Sequence, residues 1–174
     1  RDAQESRGLG DVYKRQGRSS ASAGLAILPL GLGFLLGPLC GSAFRRLAAQ
    51  GASHGMVMEV VGLLAVATLA LLDMPSWLPL PLFLIGAGQG IALPALVKQS
   101  VDHVDARHAG LAAGIVSATL QISAALSVAL VGGVFFAVAP DTATPAEVRT
   151  AFVVASLVIA ASLAIAAGFA WRRG

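Results

Sequence analysis

Apolar residues in this chain come in long uninterrupted runs and do not alternate with polar ones. Ser19 to Phe44, Met74 to Val97, Ala109 to Pro140 and Thr150 to Trp171 contain no Asp, Glu, Lys, Arg or His, and Gly55 to Leu72 carries one charge, Glu59. A bilayer's hydrocarbon core is about 30 Å thick and an α-helix rises about 1.5 Å per residue, so about 20 such residues suffice to cross it. Within lipid each backbone N–H and C=O must find its partner inside the protein, which leaves helices or closed barrels. Barrel strands would show polar and apolar residues in alternation, and these runs do not. The pattern predicts an all-α integral membrane protein with five transmembrane helices, at about residues 22–44, 55–72, 76–98, 109–138 and 149–171.

The segments between the runs carry turn and capping chemistry. Pro75, Pro79 and Pro81 crowd the start of the third span, where a missing N–H does least harm. Ala139 to Glu147 (APDTATPAE) is turn-forming, and Thr144 and Glu147 stand at capping-box spacing ahead of the fifth helix. Trp77 and Trp171 fall at span ends, where an amphipathic ring prefers the headgroup layer. Residues 1–20 form a separate tail, polar and charged up to Arg18, without helical periodicity. It is expected to be disordered or non-native, ahead of a helical bundle over residues 21–174.

Composition supports the bilayer reading: 56% of residues are hydrophobic and 12% charged, against about 25% charged in soluble domains. The net charge of +3 does not point to nucleic acid, because Lys and Arg cluster at the ends of apolar runs, as bilayer orientation requires. With loops alternating sides, Arg45, Arg46, Lys98, Arg107, Arg172 and Arg173 share one face and Arg149 stands on the other. The positive-inside rule then predicts a cytoplasmic C-terminus in a plasma membrane. The basic tail falls on the opposite face. That conflict is expected if the chain is a fragment whose orientation was fixed by helices upstream.

Helices in lipid associate through small residues that let backbones approach. Gly33, Gly37 and Gly41 are spaced by four, as are Gly86 and Gly90, and Gly110 and Gly114. The fourth span continues such a stripe through Ser117, Ala118, Gln121, Ala125, Ala129 and Gly132. The first, third and fourth helices are therefore expected in the interior, and the second and fifth as lipid-facing braces. Gln89 and Gln121 are polar residues near mid-depth, nine residues before Lys98 and thirteen after His108, or about 14 to 20 Å from those helix ends. Each amide is suited either to bonding a neighbouring helix or to contacting cargo at the depth where transporters bind it. Glu59, near the inner end of the second span, is expected to snorkel or to pair with Arg45 or Arg46.

Other chemistry is sparse. Gly86-Ala87-Gly88-Gln89-Gly90 lacks the preceding strand that a nucleotide loop needs. Asp102, His103, Asp105 and His108 match no metal-ligand spacing and read as a solvated loop. The single cysteine, Cys40, has no partner for a disulfide or thiolate site. No catalytic residue, metal ligand or cofactor is assigned.

The run GLAILPLGLGFLLGPLCGSAFRRL, then a second span, GAGQGIALPAL, a short charged loop and AGLAAGIVSATLQISAALSVALVGGVFF resembles the last five helices of the major facilitator superfamily. Within it the likeness is to the fourteen-helix drug/proton antiporters of the EmrB/QacA type, over about residues 21–172. The resemblance implies a partial major-facilitator fold, the C-terminal half, working by alternating access around a central site. It implies packing and cavity-lining positions for Gly86, Gly88, Gly90, Pro94, Gly110, Gly114 and Gln121, and a gating loop at Arg45 and Arg46. The sequence departs from the family where Gly41 is followed by Arg45 and Arg46 without the usual Asp-Arg pair, and where Leu120 stands in place of a frequent Arg. These departures leave a gating charge pair without its acid. Proton coupling in the family mostly involves the other half, so this segment is not expected to transport alone.

The expected function is the C-terminal part of a secondary active transporter exporting small hydrophobic or cationic compounds by proton antiport. Gln89 and Gln121 are the expected polar contacts to cargo, with Ser117, Thr119 and Ser123 beside them. Its partners would be the lipid bilayer, the missing N-terminal helices, the small-molecule substrate and protons. The competing reading is a five-helix membrane subunit that only binds other proteins. An intramembrane enzyme is disfavoured because no Ser, His and Asp partners cluster within a span.

Overall fold

The computed structural model describes residues 20–43, 51–102, 104–139 and 143–173. Five α-helices account for nearly all of them: α1 (Ser20–Ala43), α2 (Gly51–Leu71), α3 (Pro79–Val101), α4 (Ala109–Val138) and α5 (Pro145–Arg173). Four of these, α2 to α5, are long and apolar enough to cross a membrane, and α1 contributes the apolar stretch Gly24–Leu39. Their surface is that of a protein in lipid: Val128, Ile122, Leu80 and Leu35 are exposed by 74%, 69%, 68% and 66%. Side chains of this size spread over every helix would be an aggregation surface in water. The chain is an all-α, multi-spanning membrane helix bundle.

The buried residues are small. Ala52, Ala67, Ala87, Ala92, Ala151, Ala155, Ala160 and Ala167 are buried, and among the described residues no large side chain is completely enclosed. That inversion of a soluble core is what lipid demands, since helices gain van der Waals contact only by approaching closely. Met56, Ala92 and Ala167, from three different helices, form the centre, with Leu96 and Leu163 packed around them.

Several hydroxyl side chains are satisfied within their own helices. Thr68 donates to the Leu64 carbonyl, Ser100 to Leu96, Thr119 to Ile115 and Ser156 to Phe152, each at 2.8 Å. This back-bonding hides a polar group that lipid cannot solvate. Helix ends are closed locally. The Met74 N–H reaches back to the Leu69 carbonyl at 3.0 Å across Asp73, whose φ of 54° is left-handed, which makes a Schellman stop to α2. A 3-10 turn, Pro75–Trp77, then leads into α3. The loop after α3 folds on Asp105, whose carboxylate accepts the Arg107 N–H at 3.0 Å and whose carbonyl accepts the His108 N–H at 2.8 Å. Before α5, Thr144 and Glu147 form the capping box: the Thr144 N–H donates to Glu147 Oε2 at 2.6 Å and the Glu147 N–H to Thr144 Oγ1 at 3.3 Å.

The packing order differs from the one expected. α3 holds α1 on one side and α2 on the other, α2 also lies along α5, and α4 touches chiefly α5. α2 is thus central rather than a lipid-facing brace, and α4 has no buried residue at all. The reason lies in two glycines of α2. A Cβ at Gly55 would stand 2.5 Å from the Gly88 carbonyl oxygen, and one at Gly62 2.5 Å from Ile85 Cγ1, so α2 approaches α3 as closely as α1 does. Register follows from the same contacts. Gly55 faces Gly88 and Ala92 while Gly62 faces Pro81 and Ile85, so α2 and α3 are antiparallel. Gly86 meets Leu30 and Phe34 while Gly90 meets Phe34 and Pro38, so α1 and α3 run parallel. α1, α2 and α3 therefore alternate direction, as successive spans do.

Candidate functional site

The glycines of α3 place its backbone against both neighbours. A Cβ at Gly86 would fall on the Leu30 carbonyl of α1, and one at Gly33 on the Phe83 carbonyl of α3. At Gly37 the added atom would lie 2.5 Å from the Ala87 carbonyl oxygen. Gly90 abuts the Phe34 carbonyl, the acceptor whose usual donor would be residue 38. That residue is Pro38, which has no N–H, so the crossing forms where α1 lacks one of its regular helix bonds. Pro94 lies inside α3 and its ring is exposed.

On the opposite side of α3, Gly88 lies under Glu59 of α2. A Cβ there would stand 2.5 Å from the Gly55 carbonyl oxygen and 3.0 Å from both Cγ and the backbone N of Glu59. Because α2 begins at Gly51, Glu59 is eight residues into the helix, about 12 Å along its axis. It is deeper than its expected position near the inner end of the span, and it is half-buried. Arg45 and Arg46, its expected partners and the expected gating loop, lie outside the described residues. Among the described residues Glu59 has no hydrogen bond or ion pair.

The residues expected to contact cargo are dispersed. Gln89 sits between buried Gly88 and Gly90 but is itself exposed, and Gln121, Ser117 and Ser123 are exposed on α4. Two cavities among the described residues bear on these contacts. One, of about 660 Å³, is bounded by Ala65, Thr68, Leu69 and Met74 and, across from them, Trp77, Leu80, Pro81, Phe83 and Leu84. The other, of about 220 Å³, lies between α3 and α4, with Leu93, Leu96, Val97 and Ser100 facing Ile115, Val116, Thr119 and Leu120. Thr119 is the one expected contact that lines either cavity, and its hydroxyl is engaged with the Ile115 carbonyl. Neither glutamine borders them. A Cβ at Gly110 or Gly114 meets nothing within 4 Å, and the surroundings of Gly41 lie outside the described residues. No three His, Cys, Asp or Glu side chains converge as metal ligands among the described residues, which do not include His103.

The arrangement is therefore a glycine-lined three-helix contact, α1 to α3 to α2, with a carboxylate set into it and apolar cavities at its margins. Over 115 residues the chain is 32% identical to a protein of Streptomyces coelicolor described as "Probable actinorhodin transporter". The likeness is to a transporter. It takes in 63% of this chain and 19% of that protein, so the chain spans about a fifth of its relative's length. No family profile matches the chain, and no solved structure matches it.

Sequence reasoning missed Gly55 and Gly62, which stand in a stretch otherwise dominated by Val, Leu, Ala and Met. The available signal was their spacing of seven, two helical turns, which keeps both on one face of α2.

Proposed function

We propose that this chain is part of a secondary active transporter that exports small apolar or cationic compounds by alternating access, in exchange for protons. The observation that carries the reading is its 32% identity over 115 residues with the protein described as "Probable actinorhodin transporter", together with a bundle of membrane-length helices. The order of its glycine motifs supports a major-facilitator type of architecture, with these five helices as a C-terminal segment and further helices completing the cavity. In this reading α4 presents Ser117 and Gln121, which share one face of the helix, to a partner helix bundle across a translocation path, and Gln89 does so from α3. Thr119 and Ser123 lie on the other side of α4, where Thr119 borders the cavity shared with α3. Gly110 and Gly114 allow that bundle to approach. The unburied state of α4 supports this arrangement, since a helix with small and polar residues on one stripe gains nothing from lipid there.

The test is export of ethidium from bacterial cells expressing the complete transporter. Cells with the intact protein are expected to accumulate less ethidium than cells without it, with the difference abolished by a protonophore. Gln121→Ala is expected to lower export severalfold at unchanged abundance in the membrane. Unaltered export of ethidium and of every other compound tried would remove Gln121 from the path.

A further inference from the structure

We propose that Glu59 is an intramembrane proton-binding site, seated where α2 crosses α3 at Gly88. Three observations carry it. The side chain lies more than two turns inside a membrane-length helix, about 12 Å from its start at Gly51. It is half-buried, and its stem occupies the space that a side chain at Gly88 would fill. It has no hydrogen-bonding or ion-pairing partner among the described residues.

An ionised carboxylate without a partner is costly in a medium that cannot solvate it, so the group is stable there when its charge is cancelled. Among the described residues the surroundings offer no fixed cation to do so. On α3 the basic residue is Lys98, ten residues beyond Gly88 and about 15 Å further along the helix. On α5 the level of Glu59 is set by Ala167 and Leu163, which pack with neighbouring Met56, and Arg172 lies more than a turn beyond them. On α2 itself His54 is directed to Trp171, with ring centroids 5.9 Å apart. A mobile cation remains, and the proton is the one that fits without a shell of ligands. One O–H bond forms as hydronium gives its proton to the carboxylate, and the same bond breaks when water takes it back. The crossing at Gly88 makes the site sensitive to helix movement, because any sliding of α2 on α3 changes what covers the carboxyl group. As a coupling device this deepens the antiport reading and rests on it; as a proton site it stands alone.

Two measurements separate these. Dicyclohexylcarbodiimide partitions into apolar regions and adds to protonated carboxyl groups, the O–H adding across a C=N bond with nothing lost. With the chain in lipid nanodiscs, mass spectrometry is expected to find Glu59 labelled severalfold more than Asp73, Asp105 or Glu147, and less as pH is raised. Glu59→Gln is expected to abolish label on that peptide. Labelling no greater than at the exposed carboxylates, or unchanged with pH, overturns the proposal. In proteoliposomes holding the complete transporter, Glu59→Gln is expected to reduce ethidium movement driven by a pH gradient to background while downhill equilibration persists, and Glu59→Asp to recover part of it. Gradient-driven movement unchanged by Glu59→Gln overturns the coupling role. Strong labelling in a protein that moves no ethidium removes the antiport reading and upholds the proton site.

Discussion

Gly86 and Gly114 both lack a side chain, yet a methyl group added to each meets opposite surroundings. At Gly86 it collides with the Leu30 carbonyl and crowds the Phe34 nitrogen, backbone atoms that cannot swing aside. Overpacking of this kind forces helices apart and costs about 1–3 kcal/mol. At Gly114 nothing lies within 4 Å, and alanine improves helix propensity by up to about 1 kcal/mol. In thermal unfolding of the purified chain in detergent, Gly86→Ala is therefore expected to lower the midpoint and Gly114→Ala to leave it unchanged or raise it. Equal effects from the two would show that α1 and α3 do not meet at Gly86. The same comparison explains why glycine spacing alone does not say which neighbour a glycine meets. The Gly110 and Gly114 pair has the same four-residue spacing as Gly86 and Gly90, and only the structure distinguishes a glycine already in contact from one facing open space.

Each helix owes its existence to composition and its ends to local chemistry. The spans were legible because a run without charge has few other stable places to be, and the ends because Pro, Thr and Glu at fixed positions have few alternative uses. Thr144 and Glu147 formed the box their spacing implied, whereas α2 began at Gly51, ahead of the Gly55 expected from hydropathy. His54 lies in that added turn, and hydropathy discounts a polar residue that the helix retains by placing it against Trp171. Thr144→Ala removes the acceptor of the Glu147 N–H and is expected to weaken the start of α5 by about 1 kcal/mol. Hydrogen exchange checks this: the Glu147 amide should exchange faster while amides around Ala160 keep their protection. Loss of protection along the whole of α5 would mean that the cap holds the helix in place and does more than close its first turn.

At the scale of the molecule, the sequence announced a bundle but not its order. Which helix is central depends on pairwise approach, and Gly55 and Gly62 on α2 became informative only once Gly88 and Ile85 were seen opposite them. The expected cargo residues were legible as polar residues in apolar helices, while their convergence was not, because Gln89 and Gln121 each face outward from different parts of the bundle. Direction, by contrast, follows from both levels. Runs joined by short loops must alternate, and the antiparallel contact of α2 with α3 puts the Asp73 turn and the Asp105 loop at opposite ends of α3. Cysteine substituted at Asp73 and at Asp105, in a chain whose Cys40 is replaced by serine, is therefore expected to react with a membrane-impermeant maleimide from opposite faces. The positive-inside rule further places Arg107, and with it position 105, on the cytoplasmic side, so position 73 should be labelled in intact cells and position 105 only after the membrane is opened. Labelling in the reverse order would invert the orientation and leave the bundle intact. Reaction of both positions in intact cells would mean that α3 does not cross, and the glycine contacts through which it holds α1 and α2 would then have to form outside the bilayer, where their small buried residues could not hold the helices together.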